Sequence, residues 1–372
     1  MTVTSSAAAT SARRPYIDAL RGVAVLFMIA WHSIDAWSMT EGRVGFAFSV
    51  LLFVAGWAAP LFLFLSGVSL SLAGDGRLKR GGDRGAVSWS LQKRGWQVFL
   101  IAHLFRFQSF LLNPNGSWNS IIKPDILNVL GLGLVAAAVC WKRSVTVRDA
   151  VAWLLLPALA IVSVITPLSR RWWWPTLLYP RLEAYIRPVS NFGVFSLFPT
   201  TAYVLAGAFL GLLMARHLPS DEAFHRRLGT WGASILAAGV ALALVPWPHP
   251  VARGDSLAVF LWRCGAMMSA LAVAWVLFRA RVSSIWNPLV VLGQASLLIY
   301  WVHVELVYGL FSFPIRHTLP LPWAFLAYLL LTLAMLGLAA WWVRRPKYPS
   351  IVPAHMAASW PGHSHRERNQ VA

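Results

Sequence analysis

The sequence predicts an all-α, polytopic integral membrane protein with about ten transmembrane helices and both termini in the cytoplasm. Of its 372 residues, 58% are hydrophobic and only 12% are charged, and the mean hydropathy is +0.61. A soluble core of this size does not require so much apolar material. Two further observations support this fold class, namely a series of long apolar runs and an uneven distribution of Lys and Arg between them.

Each apolar run is long enough, or nearly so, to cross roughly 30 Å of hydrocarbon as a helix. The fourth and fifth are the shortest. The ten predicted spans are Tyr16–Trp37, Gly45–Ala73, Gly95–Leu112, Ile126–Trp141, Ala150–Thr166, Gly193–Ala215, Gly229–Val245, Ser256–Phe278, Asn287–Leu310 and Leu321–Val343.

The orientation follows from the positive charges, because loops rich in Lys and Arg remain cytoplasmic. The termini and the even-numbered connections hold 21 of the 32 Lys and Arg residues, and the odd-numbered connections hold 8. The remaining three, Arg21, Arg106 and Arg263, lie inside apolar runs. The net charge of +19 sits in short loops beside the spans, where anionic lipids explain it better than nucleic acid does.

We therefore expect a single transmembrane domain over residues 16–345, flanked by disordered cytoplasmic segments at residues 1–15 and 346–372. The expected location is a bacterial inner membrane, with membrane lipids and no nucleic acid as partners. The oligomeric state stays open, including a homo-oligomer. Cys140 and Cys264 both fall in apolar segments, so neither a disulfide framework nor a thiolate metal site is expected, and we predict no metal.

The first span carries a line of polar residues along one face. The eleven-residue step from Arg21 to His32 is about 1100° of helical rotation, which brings the two side chains back to within roughly 20° of each other. Asp18 and Asp35 extend this line by i to i+3 steps at either end. A purely structural membrane anchor has no use for such a line, although Arg21 could instead pair with Asp18 or reach the interface.

Other spans add polar groups at a similar depth. Ionisable side chains inside a bilayer are costly, so several of them on separate helices are expected to face a shared interior or a wet cavity. Under the predicted orientation they lie at mid-membrane or in its outer half. These residues are His103, Arg106, Asp125, Asn128, Arg263, Tyr300 and His303. His103 and Arg106 could equally form only a hydrogen-bonded contact between helices.

The cytoplasmic ends of the spans have a different character. Arg21 and Arg94 are positively charged, and Ser66 and Gly67 are small residues near the end of the second span. Positive charge together with small residues suits an anionic, phosphate-bearing donor that enters from the cytoplasm. These four residues are therefore the candidate donor-binding residues.

Several segments resemble a known family. The run YIDALRGVAVLFMIAWH from Tyr16 and the run APLFLFLSGVSLSL from Ala59 are similar to the opening of membrane acyltransferases of the heparan-alpha-glucosaminide N-acetyltransferase type and their bacterial relatives. Further similar segments begin at Pro124, Asn191 and Leu292. The Arg, ten residues, His spacing also resembles the wider acyltransferase-three family.

This resemblance implies acetyl-CoA or another acyl-CoA as the cytoplasmic donor and a sugar or glycan as the acceptor on the far side. The heparan branch tends to have Asn at the position of His32 and its catalytic histidine in the following outer loop. Here that loop, Ser38–Val44, contains no histidine, so His32 itself would have to act.

Acyl transfer from a thioester requires removal of a proton from an amine or hydroxyl and stabilisation of an oxyanion. We predict His32 as the general base, Asp35 as the residue that fixes its tautomer, and Arg106, Tyr300 or His303 as the group that polarises the carbonyl. A two-step route in which His32 itself becomes acylated is an open alternative. The acceptor would contact the remaining polar residues of the outer half, namely His103, Asp125, Asn128 and Arg263.

An alternative function is a secondary transporter, because intramembrane His, Arg and Asp residues also form proton relays and substrate sites. Transporters commonly contain internal repeats or paired broken helices, and the sequence indicates neither of these features. A non-catalytic membrane scaffold is a third alternative, which would tolerate changes at His32.

Overall fold

The structure is a computed structural model that describes residues 14–41, 43–112, 118–189, 195–245, 255–279 and 283–345. Within these residues the chain forms helices and connections and no β-strand. The all-α prediction is therefore confirmed for the described part. The predicted disordered segments at residues 1–15 and 346–372 lie outside it, apart from Arg14 and Pro15.

Thirteen helices longer than six residues organise the described chain. They are α1 Pro15–Trp37, α2 Phe46–Ala55, α3 Ala58–Leu78, α4 Arg84–Leu112, α5 Ile126–Arg143, α6 Val147–Arg171, α7 Pro180–Ile186, α8 Leu197–Ala215, α9 Glu222–Leu244, α10 Leu257–Arg279, α11 Ser283–Gln294, α12 Ser296–Tyr308 and α13 Leu321–Arg344.

Eight helical stretches among the described residues are long and apolar enough to cross a membrane. In this count α2 and α3 form one stretch, and α11 with α12 would give a ninth as a bent pair. Helix α4 covers the predicted third span but is not among the eight, since Gln97, His103, Arg106 and Gln108 interrupt its apolar part. The multi-pass architecture is thus confirmed, whereas the number ten and the orientation of the termini stay predictions.

Two predicted spans are not continuous helices. The second breaks at Gly56 and Trp57, between α2 and α3. The ninth is bent by 81° between α11 and α12. Helix α6 stays continuous but contains two π-helical segments, one just before Pro157 and one just before Pro167, where a proline lacks the N–H that the ordinary helical pattern needs.

The core of the bundle is built around α8. Of its apolar stretch, 72% of the residues are buried, against 17% for the peripheral helices α9 and α13. Helix α8 crosses α3 at very short range, because Gly67 lies against the carbonyl of Val204 and Gly207 lies against the carbonyl of Phe64. Such glycine-mediated approach of two backbones is typical of membrane helix pairs.

Helix α1 is held in a second packing unit, beside α11, α12 and α13. Gly22 lies against the backbone of Leu289 on α11, and beyond the end of α1 the amide of Met39 donates to the carbonyl of Leu319 at 2.9 Å. The far end of α1 is therefore fixed beside the chain that follows α12. This arrangement places His32 of α1 next to His303 of α12.

The close approach of α3 and α8 leads to a testable prediction about stability. In Gly207→Ala the added Cβ would overlap the Phe64 carbonyl, so the two backbones must separate, and we expect a loss of about 1–3 kcal/mol of stability, as in overpacked cores. Thermal unfolding of the purified protein in detergent measures this change.

Gly337→Ala on α13 is the matched control, because a Cβ at Gly337 meets no atom within 4 Å. Its expected effect is neutral or slightly stabilising, by at most about 1 kcal/mol, since Ala favours the helix. Equal melting temperatures for the two variants would contradict a tight crossing.

Candidate active site

One cavity of about 710 Å³ gathers most of the polar groups that the sequence places in the outer half. From α1 it is lined by Met28, Trp31, His32 and Asp35, so it lies toward the end of α1 that is remote from the N-terminus. Its charged and phenolic lining residues are His32, Asp35, Arg106, Lys123, Asp125, Arg170, Tyr203, Asp255, Arg263, Tyr300 and Tyr308. They come from six helices and two connections.

A pair of histidines forms one wall. The Nδ1 atom of His32 lies 2.9 Å from the Nε2 atom of His303, and the two rings are nearly parallel, with their centroids 5.1 Å apart. On the other side, Nδ1 of His303 lies 2.6 Å from the carbonyl oxygen of Ile299, one turn earlier on α12. Tyr308 contacts the His32 ring edge-on. His303 is fully buried, whereas His32 lines the cavity.

A carboxylate at the start of α5 organises the second wall. Asp125 is the N-cap of that helix. Its carboxylate accepts a hydrogen bond of 2.6 Å from the Tyr300 hydroxyl and forms an ion pair of 3.2 Å with Arg106. Three of the predicted site residues, from α4, α5 and α12, are therefore in direct contact.

His103 and Asn128 support this carboxylate from outside the cavity. The backbone N–H of Asp125 donates to Oδ1 of Asn128 at 3.0 Å, which completes a capping box. The amide nitrogen of Asn128 lies 3.0 Å from Nδ1 of His103. Neither side chain lines the cavity. His103 therefore contributes to the contact between α4 and α5.

Asp35 lines the cavity but has other polar contacts than expected. Its carboxylate accepts a hydrogen bond of 3.1 Å from the Tyr308 hydroxyl and forms an ion pair of 3.6 Å with Arg43. Arg43 also donates to the backbone carbonyl of Asp35. The hydrogen-bond partner of the His32 ring is His303, not Asp35, although the sequence suggested Asp35 for that position.

Sequence reasoning missed several cavity residues. Arg170 forms an ion pair of 2.6 Å with Asp255 and donates to the carbonyl of Phe198 at 3.0 Å. Both residues lie just outside predicted spans, where charged residues are common and do not by themselves indicate a site. The only signal for the pair in the sequence is that the two charges have opposite signs. Lys123 also lines the cavity. Burial and the nearby guanidinium groups of Arg106 and Arg181 lower the pKa of Lys123.

The four predicted donor residues do not line this cavity. Arg21 forms an ion pair of 3.7 Å with Asp18, and Arg94 is exposed on α4. The Ser66 hydroxyl donates to the carbonyl of Phe62 at 2.7 Å, and Gly67 lies in the α3–α8 crossing. Any donor site that they form is separate from the cavity.

Metal ligands do not gather in the described part of the chain, where no group of three or more His, Cys, Asp or Glu side chains could hold an ion. Cys140 and Cys264 are free thiols.

The fold and the cavity define a class, that of multi-pass membrane proteins with a charged chamber inside the helical bundle. Residues 13–247 match the family described as heparan-alpha-glucosaminide N-acetyltransferase, catalytic. Because this match covers more than half of the chain, the protein belongs to that family of membrane transferases. No curated protein matches the chain. The match confirms the resemblance found in the sequence, and it ends before α12, which provides Tyr300 and His303.

The Arg106–Asp125 ion pair provides a second prediction. Its side chains are 24% and 14% exposed, so removal of one charge leaves the other poorly solvated inside the bundle. We expect Asp125→Asn to destabilise the protein by about 2–3 kcal/mol and the double variant with Arg106→Gln to recover part of that loss. A double-mutant cycle of thermal unfolding measures the coupling.

The pair Arg226 and Glu222 is the matched control, since its side chains are 75% and 49% exposed. Arg226→Gln is expected to change stability by less than about 1 kcal/mol, because solvent screens exposed pairs. If the coupling energy measured for Arg106 and Asp125 were also below about 1 kcal/mol, the ion pair in the cavity would be as well solvated as one on the surface, which would contradict the prediction.

Proposed function

We propose that this protein transfers an acetyl or other acyl group from cytoplasmic acyl-CoA to a sugar or glycan acceptor at the outer face of the membrane. The observation that carries the proposal is the convergence of His32, Arg106 and Asp125 on one cavity in a chain of an acetyltransferase family. The charge distribution of the connections supports the two-sided arrangement, with the cavity toward the outer face.

His32 is the general base of this proposal. Its ring lines the cavity, and imidazole is suited to proton transfer near neutral pH. It takes the proton from the acceptor amine or hydroxyl as the new bond to the acyl carbon forms. When the carbon–sulfur bond breaks, the same proton goes to the departing thiolate, which regenerates neutral His32 and releases free CoA.

Arg106 stabilises the negative charge that develops on the carbonyl oxygen. The hydroxyl of Tyr300 has a single proton, which it donates to Asp125, so it is not free to donate to an oxyanion. The guanidinium of Arg106, in contrast, lines the cavity and carries several N–H donors. A fixed donor of this kind inside a chamber is worth more than the same donor in water.

The acceptor lies among the cavity residues. Asp125 and Arg263 line the cavity and offer a carboxylate and a guanidinium for hydrogen bonds to hydroxyl groups. His103 and Asn128 act on the acceptor only through Asp125, because Asn128 accepts from the backbone N–H of Asp125 and His103 contacts Asn128.

The donor enters from the opposite side. Arg21 is about 16 Å from His32 by helical rise, and with Arg94 it supplies positive charge for the phosphates of acyl-CoA. Gly67 is packed in the α3–α8 crossing and the Ser66 hydroxyl is bonded to its own helix, so both act on the donor path only by positioning α3. The thioester then has to reach the cavity between α1 and α3, which pack against each other.

Transport is the function that the experiment has to separate from acyl transfer. The bent pair of α11 and α12 is a feature that transporters use at their substrate sites. The bend at Ala295 does not line the cavity, however, so it gives no direct support to a substrate path.

A liposome assay tests the proposal. Purified protein is reconstituted with labelled acetyl-CoA inside the vesicles and amino sugars or glycans outside, and the labelled product is measured outside. We expect transfer by the wild type and a loss of about 10²–10⁴ in rate for His32→Ala, the range typical of general bases. His217→Gln is the histidine control, since His217 pairs with Asp221 before α9, away from the cavity.

Three outcomes would contradict the proposal. Acceptor uptake into the vesicles without acyl transfer would identify a transporter. Full activity of His32→Ala would remove His32 from the mechanism. Transfer only when donor and acceptor are on the same side would contradict the two-sided arrangement.

A further inference from the structure

The protonation of the buried histidine follows from its contact with the backbone. A carbonyl oxygen only accepts hydrogen bonds, so the 2.6 Å contact between His303 and Ile299 requires a proton on Nδ1 of His303. In a neutral imidazole the second nitrogen then carries a lone pair and only accepts. Nε2 of His303 is therefore an acceptor that faces His32.

This assignment determines the tautomer of His32. Its Nδ1 atom lies 2.9 Å from Nε2 of His303, and because that atom accepts, Nδ1 of His32 has to donate. The proton of neutral His32 is thus on Nδ1, which leaves the lone pair on Nε2. Nε2 lies on the other side of Cε1 from the contact with His303, and His32 lines the cavity.

We infer that His303 is a positioning residue, which holds His32 in the Nδ1–H tautomer so that Nε2 is the nitrogen that exchanges protons with the acceptor and the leaving thiol. This inference rests on the proposed function, and it replaces the sequence-based idea that His303 polarises the carbonyl. His303 is fully buried and does not line the cavity, so it acts on the reaction through His32.

The surroundings hold both rings in this arrangement. Ile299 and His303 are both fully buried on α12, and the planes of the two imidazoles are nearly parallel, with an interplanar angle of 15°. Tyr308 packs edge-on against His32, with its ring centroid 5.5 Å away. After His32 has taken the acceptor's proton on Nε2, its Nδ1–H still donates to His303, so no hydrogen bond is lost in the charged state.

Two amide substitutions distinguish the two nitrogens of His303. The amide of Gln reaches the position of Nε2, whereas the shorter amide of Asn reaches only that of Nδ1. We expect His303→Gln to keep kcat within about tenfold of the wild type, because it still offers an acceptor to His32, and His303→Asn and His303→Ala to lose about 10²–10³ in kcat. KM for the acceptor is expected to change by less than about threefold in all three variants, because His303 does not line the cavity.

A double variant tests whether His303 acts through His32. Residues that work as a unit are not additive, so in a His32→Ala background His303→Ala is expected to lower the residual rate by less than about threefold. A further loss equal to that of the single His303→Ala variant would overturn the inference. So would equal activities of the Gln and Asn variants.

A spectroscopic measurement keeps the inference testable if acyl transfer is not observed. Nitrogen NMR of histidine-labelled protein in nanodiscs separates the two neutral tautomers, and the His32 signals are assigned from their loss in His32→Ala. We expect the Nδ1–H form of His32 in the wild type and in His303→Gln, and a mixture in His303→Asn. An Nε2–H form in the wild type would overturn the inference, whereas the expected tautomer together with an absence of acyl transfer would overturn only the proposed function. Melting temperatures of the Gln and Asn variants check that both fold.

Discussion

The cost of a charged side chain in an apolar bundle determines how the cavity is built. Such a group is tolerated in a membrane interior only when it is paired, hydrogen-bonded or in contact with water. Three contacts offset the cost of burying the carboxylate of Asp125. It caps α5, pairs with Arg106 and accepts a hydrogen bond from the Tyr300 hydroxyl. One residue thereby ties three helices together, and the same contacts fix the cavity wall that faces His32.

Hydropathy and the length of the apolar runs were sufficient to predict an all-α, multi-pass protein, because a long apolar run is recognised by composition alone. They were not sufficient to find the break at Gly56 or the 81° bend at Ala295. Both interruptions lie within long apolar runs, in which single residues such as Gly56, Gln294 and Ser296 change the mean hydropathy too little to mark a break.

The candidate site, like the fold, could be predicted only in part from the sequence. Ionisable groups inside a membrane have a high free-energy cost, which led us to expect that His32, Arg106 and Asp125 share one interior space. The three residues do line one cavity. Which side chains contact one another inside that space could not be predicted from the sequence. Helical spacing relates residues of one helix, such as His32 and Asp35, and does not indicate which side chain of α12 lies opposite. The contact between His32 and His303 joins residues 271 positions apart, so only the fold could provide it.

The balance of charge in the cavity supports the proposed acyl transfer over a proton relay through carboxylates. Four cationic residues line it, Arg106, Lys123, Arg170 and Arg263, against the three carboxylates Asp35, Asp125 and Asp255. A proton relay through carboxylates is disfavoured, because each of these three is ion-paired with an arginine. Acyl transfer instead develops negative charge on a carbonyl oxygen and a leaving thiolate, and a positive surplus beside a neutral imidazole stabilises both.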